Sequence, residues 1–371
     1  MTKKLCVGIL FGGRSGEHDV SLQSAASVIN ALDPAKYEIL PIGITREGKW
    51  RMGSGAPQLL PQVLEGGDPV TPTVDPAGPK LLPLARSVPT RNSQPEIDVV
   101  FPVLHGTFGE DGTVQGLLEL ADVPYVGAGV LASATGMDKD VMKRLFRDAG
   151  LPVVPWVLAL RSTWESNPDA VRKQVEKELR YPLFVKPVNM GSSVGISKVH
   201  HRRELVAALN LAAQYDRKLL IEQGIDAREI ECAVLGNDQP QASVPGEVVP
   251  VNEFYDYEAK YIKKGSELVI PAKLTARQTE QVREVAIRAF QAVDCAGMGR
   301  VDFLLDRKTG KVFLNEINTI PGFTSISMYP KLWEASGVSY PELLDRLIEL
   351  ALERHKEKAR TRFTFSPPTT P

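Results

Sequence analysis

The sequence predicts an α/β chain: a doubly wound, parallel-sheet unit at the N-terminus and two further α/β units behind it. Three observations carry that expectation. An apolar run, Leu5–Phe11, enters a Gly12-Gly13 turn and then a helical stretch, the usual opening of a doubly wound domain. The strand–helix pattern restarts at Pro155, beyond a Leu151-Pro152 step that reads as a boundary. Two β-rich runs then flank Asp306-Arg307-Lys308-Thr309-Gly310, a hairpin signature with glycine where φ > 0 is required. At 371 residues the chain exceeds what one core supports, so two or three domains are expected.

Taken in order, Leu5–Phe11 is the first strand and Ser21–Leu32 its helix, with Ser15 to Asp19 supplying cap and first-turn acids. Tyr37–Ile44 is the second strand. Residues 46–95 are rich in proline and glycine and weakly periodic, which predicts a surface insertion or irregular hairpins. Asp98–Leu104 is a buried strand that ends in a glycine-dense loop, His105 to Gly112, at the end of the sheet where open α/β folds place ligands. Val114–Ala121 follows as a helix and Tyr125-Val126-Gly127 as a short return strand. Asp138–Ala149 is an amphipathic helix with a stripe of Val141, Met142, Leu145, Phe146 and Ala149, stopped by Gly150. The second unit reads strand Trp156–Leu160, helix Pro168–Leu179, strand Leu183–Lys186, strand Ile196–Val199, helix Arg203–Ala213 and strand Leu219–Glu222. The third reads strands Glu229–Gly236 and Gln241–Val249, an aperiodic Tyr-rich loop over Glu253–Lys264, helix Ala276–Ala292, the hairpin, and a helix from Tyr340 through His355. Thr361–Pro371 is a Pro/Thr tail expected to fray.

Composition excludes several function classes. The chain is 43% hydrophobic and 24% charged with formal net charge −1, which argues against nucleic-acid binding, where a basic excess is expected. Cys6, Cys232 and Cys295 are far apart and lack metal-ligand spacing, so they read as buried thiols in a reducing compartment. The basic start followed by a short apolar run resembles a signal peptide only superficially; it breaks into Gly12-Gly13-Arg14 and has no small-residue cleavage site. No membrane span is expected, since nowhere do roughly 18 uncharged apolar residues run together. The expected location is the cytoplasm. The first glycine loop does not follow G-x-G-x-x-G, and its Glu17-His18-Asp19 would repel a pyrophosphate, which disfavours a nicotinamide-dependent oxidoreductase.

Four stretches carry chemistry. In the hairpin, Asp302 falls roughly opposite Glu316, and alternation turns Glu316 and Asn318 the same way, beside Arg300. Hard oxygen ligands without His or Cys suit Mg²⁺ or Mn²⁺; a solvated strand face is the alternative. Lys186 closes an apolar strand just before Gly191-Ser192-Ser193-Val194-Gly195, a loop whose N–H groups would approach phosphate oxygens, or an ordinary Gly-Ser turn. Phosphate cradle and metal site on one chain imply a nucleoside triphosphate. The loop Phe254 to Tyr261 would be a lid bringing Lys260 onto a γ-phosphate and excluding water, or a surface loop with aromatic patches. After Asn318, the Gly322 N–H with Arg300 would hold a developing oxyanion; a plain Pro-Gly turn is the alternative.

Together these pieces resemble the ATP-grasp superfamily and, within it, the D-alanine–D-alanine ligase family. The resemblance runs from residue 5 to about 350 through Gly12 to Ser21, His105-Gly106 with Gly109-Glu110-Asp111-Gly112, Met137-Asp138-Lys139, Gly191 to Gly195, Tyr255 to Tyr261, Gly299-Arg300-Val301-Asp302, and Asn315 to Gly322. It implies a Rossmann-like domain over residues 1–136 and a two-domain ATP-grasp unit, 137–225 and 226–358, with ATP held between the two and a flexible tail over 359–371. The implied reaction forms an acyl phosphate on one D-alanine, which the amine of a second attacks. Carried over by position, Lys139 and Lys186 would hold the α/β-phosphates and Lys260 the γ-phosphate, with Ser192, Ser193 and Asn315 among the nucleotide contacts. Glu222, Gln223 and Ile225 would line the adenine pocket and Glu229 the ribose. Asp302, Glu316 and Asn318 would bind two Mg²⁺ or Mn²⁺ ions. Glu17 would take the first ammonium and link through Ser192 to Tyr261, with His105 near the first substrate. Ser327 would accept the second carboxylate, and Arg300 with Gly322 would form the oxyanion hole.

The resemblance also implies a homodimer with small-molecule substrates, D-alanine and ATP, and no nucleic-acid or membrane partner. D-serine or D-lactate as second substrate is the alternative within the family; the Tyr-Asp-Tyr-x-Ala-Lys-Tyr lid argues for an amine nucleophile. A non-catalytic nucleotide-binding module would be expected to lack a metal ligand or a phosphate lysine, and Asp302, Glu316, Asn318, Lys139, Lys186 and Lys260 are all present.

Overall fold

The computed structural model describes residues 3–53, 59–84, 96–250 and 267–364. Three sheets organise the described residues. In the first, strand β1 (Leu5–Gly12) pairs in parallel with β2 (Tyr37–Ile44) and with β6 (Val99–Pro102). Seven of its eight residues are buried, as expected of a central parallel strand covered on both faces. Helix α1 (His18–Ala31) makes the crossover between β1 and β2.

Within residues 46–95, expected to be a surface insertion or irregular hairpins, the described residues form short antiparallel strands and one helix that extend the first sheet. Strands β3 (Trp50–Met52), β4 (Asp68–Pro72) and β5 (Leu81–Pro83) add antiparallel to the edge of β2, and helix α2 (Leu60–Gly66) buries Leu60 and Val63. The strands are too short to show a period; Pro83 lies on the edge strand β5, where a missing N–H is tolerated, and Pro72 at the end of β4. Tyr125 forms an isolated bridge with Val100 rather than a return strand.

The second sheet has the order β7-β10-β8-β9, from Trp156–Leu160, Lys218–Gln223, Leu183–Pro187 and Ser197–Val199. Helices α7 (Pro168–Glu178) and α8 (Arg202–Tyr215) cover it and give it a core of its own. The third sheet is built on β11 (Ala227–Gly236), β15 (Gly297–Asp306) and β16 (Val312–Asn318). The expected strand Gln241–Val249 is two strands, β12 (Gln241–Ala242) and β13 (Gly246–Val249), because Pro245 cannot donate to a ladder.

Helix α9 (Ala276–Ala292) packs Val282, Val285, Ala286, Ala289 and Phe290 against one face of that sheet. Along β15 burial alternates from Arg300 onward: Val301, Phe303 and Leu305 are buried, Arg300, Asp302 and Leu304 less so. The apolar set is on the helix side, so the polar set faces away from it.

Two further packings tie the units together. Helix α5 (Lys139–Asp148) buries Met142 and Phe146 in the core of the third sheet. Val141 and Leu145 of the expected stripe are only partly buried and Ala149 is exposed. Val7, Phe11 and Phe101 of the first sheet share one core with Phe323, Tyr329, Leu343 and Leu347, the last four from the C-terminal end. Here helices α10 (Met328–Ala335) and α11 (Tyr340–Lys358) close the fold.

Candidate active site

A cleft of about 960 Å³ lies where the three sheets meet, and it collects residues that the sequence scatters over three hundred positions. Glu17, His105, Lys139, Lys186, Ser192, Ser193, Glu222, Gln223, Ile225 and Glu229 line it. So do Arg300, Asp302, Asn315, Glu316, Asn318, Gly322 and Ser327. The expected lid, with Lys260 and Tyr261, lies outside the described residues.

The hairpin delivers its acids by a register shift. Pairing runs Leu305↔Val312, Leu304↔Phe313 and Phe303↔Leu314, then jumps to Asp302↔Glu316, Val301↔Ile317 and Arg300↔Asn318. An unbroken ladder would have set Asn315 across from Asp302. The irregularity makes Asn315 the extra residue and re-aims Glu316, as bulges beside active sites do. The Asp306–Gly310 turn is closed by Asp306 Oδ1, which accepts from the Lys308 and Thr309 N–H groups. Gly310 sits at φ +68°.

Arg300 is held by two acids. Its Nε and Nη2 donate to Asp302 Oδ1 and Oδ2 at 2.8 and 2.7 Å, and Nε lies 3.0 Å from Glu231 Oε2 on the neighbouring strand. Burial works against its charge, but Asp302 and Glu231 outweigh that and raise its pKa well above the usual arginine value. Asn318 Oδ1 accepts the Ile320 N–H at 3.1 Å. Among the described residues no cluster of three His, Cys, Asp or Glu side chains stands in metal-binding geometry. The donor set of two carboxylates and one amide is nevertheless hard-oxygen in type and fits Mg²⁺ or Mn²⁺ supplemented by phosphate oxygens.

The basic side of the cleft is a buried cluster. Lys186 Nζ donates to Glu222 Oε2 at 2.6 Å, and Lys143 pairs with Oε1 of the same carboxylate. Burial would push the Glu222 carboxyl up, but the two ammonium groups draw it down to about 2. Burial lowers the Lys143 pKa, whereas the pull of Glu222 and Glu316 overcomes burial at Lys186 and raises it. Two lysines on one carboxylate leave a positive surplus, which an anion would complete. Lys139 donates to the Met190 carbonyl at 2.9 Å and approaches Glu316 Oε2 at 3.9 Å, so the lysines and the hairpin acids share one space.

Two expectations for the adenine end are qualified by geometry. The Glu222 carboxylate is engaged by lysines, and the Gln223 side-chain amide by the Arg180 main chain and the Pro182 carbonyl. Both residues line the cleft, with their side-chain polar atoms already partnered.

The Gly191–Gly195 loop is strained where it meets Glu17. Ser192 and Ser193 both adopt left-handed backbone, at φ 48° and 60°, a conformation that disfavours non-glycine residues and is found at ligand clamps. Ser192 Oγ donates to Glu17 Oε1. A Cβ on Gly106 or on Gly191 would fall 2.6 Å from Glu17 Oε2, so glycine at both positions admits the carboxylate between two loops. Ser327 Oγ accepts the Thr324 N–H at 3.0 Å and closes the turn after Gly322.

Sequence reasoning passed over Lys143, Glu231 and Glu110. Lys143 had a signal: it lies four residues after Lys139 and three before Phe146, a lysine on the buried face of a helix. Glu231 had one too, since alternation along β11 sets it on the face of Glu229. Glu110 stood inside a quoted motif without an assigned role; burial, with Glu17 nearby, pushes its carboxyl up to about 8.

Comparison with known proteins bears directly on this cleft. Residues 6–128 match the model described as D-ala D-ala ligase N-terminus, and residues 145–349 that described as D-ala D-ala ligase C-terminus. The chain is 55% identical over 361 residues to the D-alanine–D-alanine ligase of Heliobacterium modesticaldum, covering 96% of this chain and 97% of that one. It is 56% identical over 359 residues to that of Thermoanaerobacter sp., covering 96% and 99%. Among solved structures, the D-alanine–D-alanine ligase from Coxiella burnetii superposes with TM-score 0.85 at 42% identity, covering 97% of each chain. The D-Ala:D-Ser ligase VanG from Enterococcus faecalis does so with TM-score 0.84 at 39% identity, covering 94% of this chain and 100% of that one.

Proposed function

The chain belongs to the D-alanine–D-alanine ligase family, and we infer from this premise that it joins two D-alanines into D-alanyl-D-alanine for cell-wall synthesis. It is an ATP-dependent ligase with the ATP-grasp fold. The geometric observation that carries the reading is the single cleft in which Lys139 comes within 3.9 Å of Glu316. That proximity supports the reading that phosphate-holding cations and metal-holding anions act on one nucleotide.

In this reading ATP phosphorylates the carboxylate of the first D-alanine and leaves as ADP, and the amine of the second attacks the resulting acyl phosphate, loses a proton and expels inorganic phosphate. Lys139 and Lys186 hold the α- and β-phosphates, and Lys260 the γ-phosphate. Phosphoryl transfer asks for positioning and charge neutralisation rather than a protein nucleophile. Asp302, Glu316 and Asn318 would hold two Mg²⁺ or Mn²⁺ ions, which when bound neutralise phosphate charge. Glu17, gripped by Ser192, takes the first ammonium; His105 lies beside that substrate. Ser327 receives the second carboxylate. Arg300 and the Gly322 N–H stabilise the oxyanion on the carbonyl under attack. Glu222, Gln223 and Ile225 border the adenine, with Glu229 at the ribose and Ser193 and Asn315 among the nucleotide contacts. The lid with Tyr261 excludes the water that would hydrolyse the acyl phosphate.

Domain limits at 136/137, 225/226 and 358/359, a homodimer and a cytoplasmic location belong to the same reading. The separate core of the second sheet supports a distinct central unit. No helix among the described residues is long and apolar enough to cross a membrane.

Second-substrate choice is the open branch, because a D-Ala:D-Ser ligase resembles this chain at 39% identity. The deciding experiment measures phosphate release and dipeptide with ATP, Mg²⁺ and D-alanine, against D-serine and D-lactate as second substrates. D-alanyl-D-alanine as the dominant product is expected. No dipeptide with D-alanine alone overturns the reading, and a preference for D-serine moves it to the alternative.

A further inference from the structure

The turn after the hairpin acids joins two parts of the proposed chemistry, Asn318 at its start and Gly322 near its end. Pro321-Gly322 is a sequence with little intrinsic stiffness at glycine. Its main-chain polar groups are nevertheless taken up by side chains from the far N-terminal part of the chain. The Ile320 N–H donates to Glu110 Oε1 at 3.3 Å as well as to Asn318 Oδ1. The Ile320 carbonyl accepts from His105 Nδ1 at 3.1 Å. The Phe323 N–H donates to Ser24 Oγ at 3.2 Å, and that hydroxyl lies 3.0 Å from His105 Nε2. Glu110 Oε2 in turn accepts the Gly106 N–H at 2.5 Å, tying the His105 loop to the same carboxylate.

These directions are self-consistent. A carbonyl only accepts, so His105 Nδ1 carries a proton toward Ile320. Neutral His105 then accepts at Nε2 from the Ser24 hydroxyl, which leaves the Ser24 oxygen free to accept from Phe323. Ser24 is fully buried, and His105 and Glu110 are nearly so. Buried polar groups fully engaged in this way fix direction as well as position. On the other side, Tyr340 donates to the Phe323 carbonyl at 3.0 Å.

We propose that Ser24 and Glu110 are positioning residues for ligation: through the Phe323 and Ile320 main chain they fix the turn that carries Gly322, and so set the oxyanion donor from the N-terminal part of the molecule. The inference rests on the oxyanion role given above to Arg300 and Gly322. Neither residue touches the reacting carbonyl. Their effect belongs to geometry, where a displacement of about 1 Å is worth on the order of 10²-fold in rate.

The test compares Ser24→Ala, Glu110→Gln and Arg300→Lys with the parent enzyme in steady-state ligation, with ADP affinity measured by calorimetry. Glu110→Gln keeps the shape but replaces one of the two oxygens facing N–H groups by an NH₂, which cannot accept. Expected are kcat losses of about tenfold or more for Ser24→Ala and Glu110→Gln, with KM for ATP and ADP affinity within about twofold. Losses in the double variant should be smaller than the product of the single ones, since both side chains act on one turn. If Arg300→Lys loses activity while both positioning variants keep kcat within about twofold, the inference is overturned and the oxyanion reading stands. If Arg300→Lys itself retains full kcat, the oxyanion reading fails first. A rise in KM for ATP matching the fall in kcat would mark a merely structural role and overturn the proposal. Should Glu110→Gln fail to fold by circular dichroism, Ser24→Ala, which removes a single oxygen atom, carries the decision.

Discussion

Single side chains in this cleft matter because they are buried and charged. Glu222 is the clearest case, one carboxylate 1% exposed with a lysine on each oxygen. Truncating one member of such a cluster leaves the others uncompensated. Glu222→Leu is therefore expected to destabilise the fold by about 3–5 kcal/mol, read as a lower urea midpoint. Glu316 carries less structural weight, and in the proposed function more chemistry. Glu316→Gln should leave the urea midpoint near that of the parent and lower ligation kcat by on the order of 10²-fold. Activity near the parent level would overturn the proposed metal role of Glu316.

At the scale of elements, the hairpin and the helix behind it divide the labour. Helix α9 starts with a capping box: Thr275 Oγ1 accepts the Gln278 N–H at 3.3 Å, and the Gln278 side chain accepts the Thr275 N–H at 3.1 Å. The helix's apolar side then seats the buried residues of β15, which leaves Arg300 and Asp302 on the other face. Thr275→Ala should cost about 1 kcal/mol by urea unfolding and leave kcat unchanged, since the cap is exposed. A drop in kcat at full saturation would show that the start of the helix reaches the site. The helix Ala276–Ala292 was legible to the residue because its stripe is long and its cap is local. The expected pairing of Asp302 with Glu316 is present as well, but the shift at Asp302/Phe303 that produces it was not legible, because a bulge depends on what both strands pack against.

For the molecule as a whole, the units are bound by a shared core and by charge. Phe323 stacks edge-on to Phe101, with ring centroids 5.8 Å apart, so the turn that carries Gly322 and the first sheet are packed as one body. Acid should loosen the fold from its carboxylates. Glu222 and Glu247 are both held below the ordinary glutamate value, Glu222 by Lys143 and Lys186 against burial, Glu247 chiefly by its hydrogen bond from Arg228. A depressed folded-state pKa contributes stability above the unfolded value and loses it as pH falls toward the folded one. The urea midpoint should therefore fall steadily from about pH 4.5 toward pH 2. A midpoint unchanged at pH 3 would show that these pairs contribute nothing.

The sequence by itself determined the α/β class, the order of nearly all the long elements and the family, because periodicity, glycine turns and ordered motifs are local properties. It also named Glu17, Lys139, Lys186, Glu222, Glu229, Asp302, Glu316 and Gly322, all of which line the cleft. Residues 46–95 escaped it, since short edge strands have no period to read and are defined by the strand they join. Lys143, Glu231 and Glu110 escaped for a related reason: a buried charge is recognised by its partner, and the partners lie in other elements. Only the tertiary structure decided that Asp302 meets Glu316 through a one-residue shift in the ladder, and that the turn bearing Gly322 is held by Ser24, His105 and Glu110, because the first depends on how both strands pack and the second on contacts between residues distant in sequence.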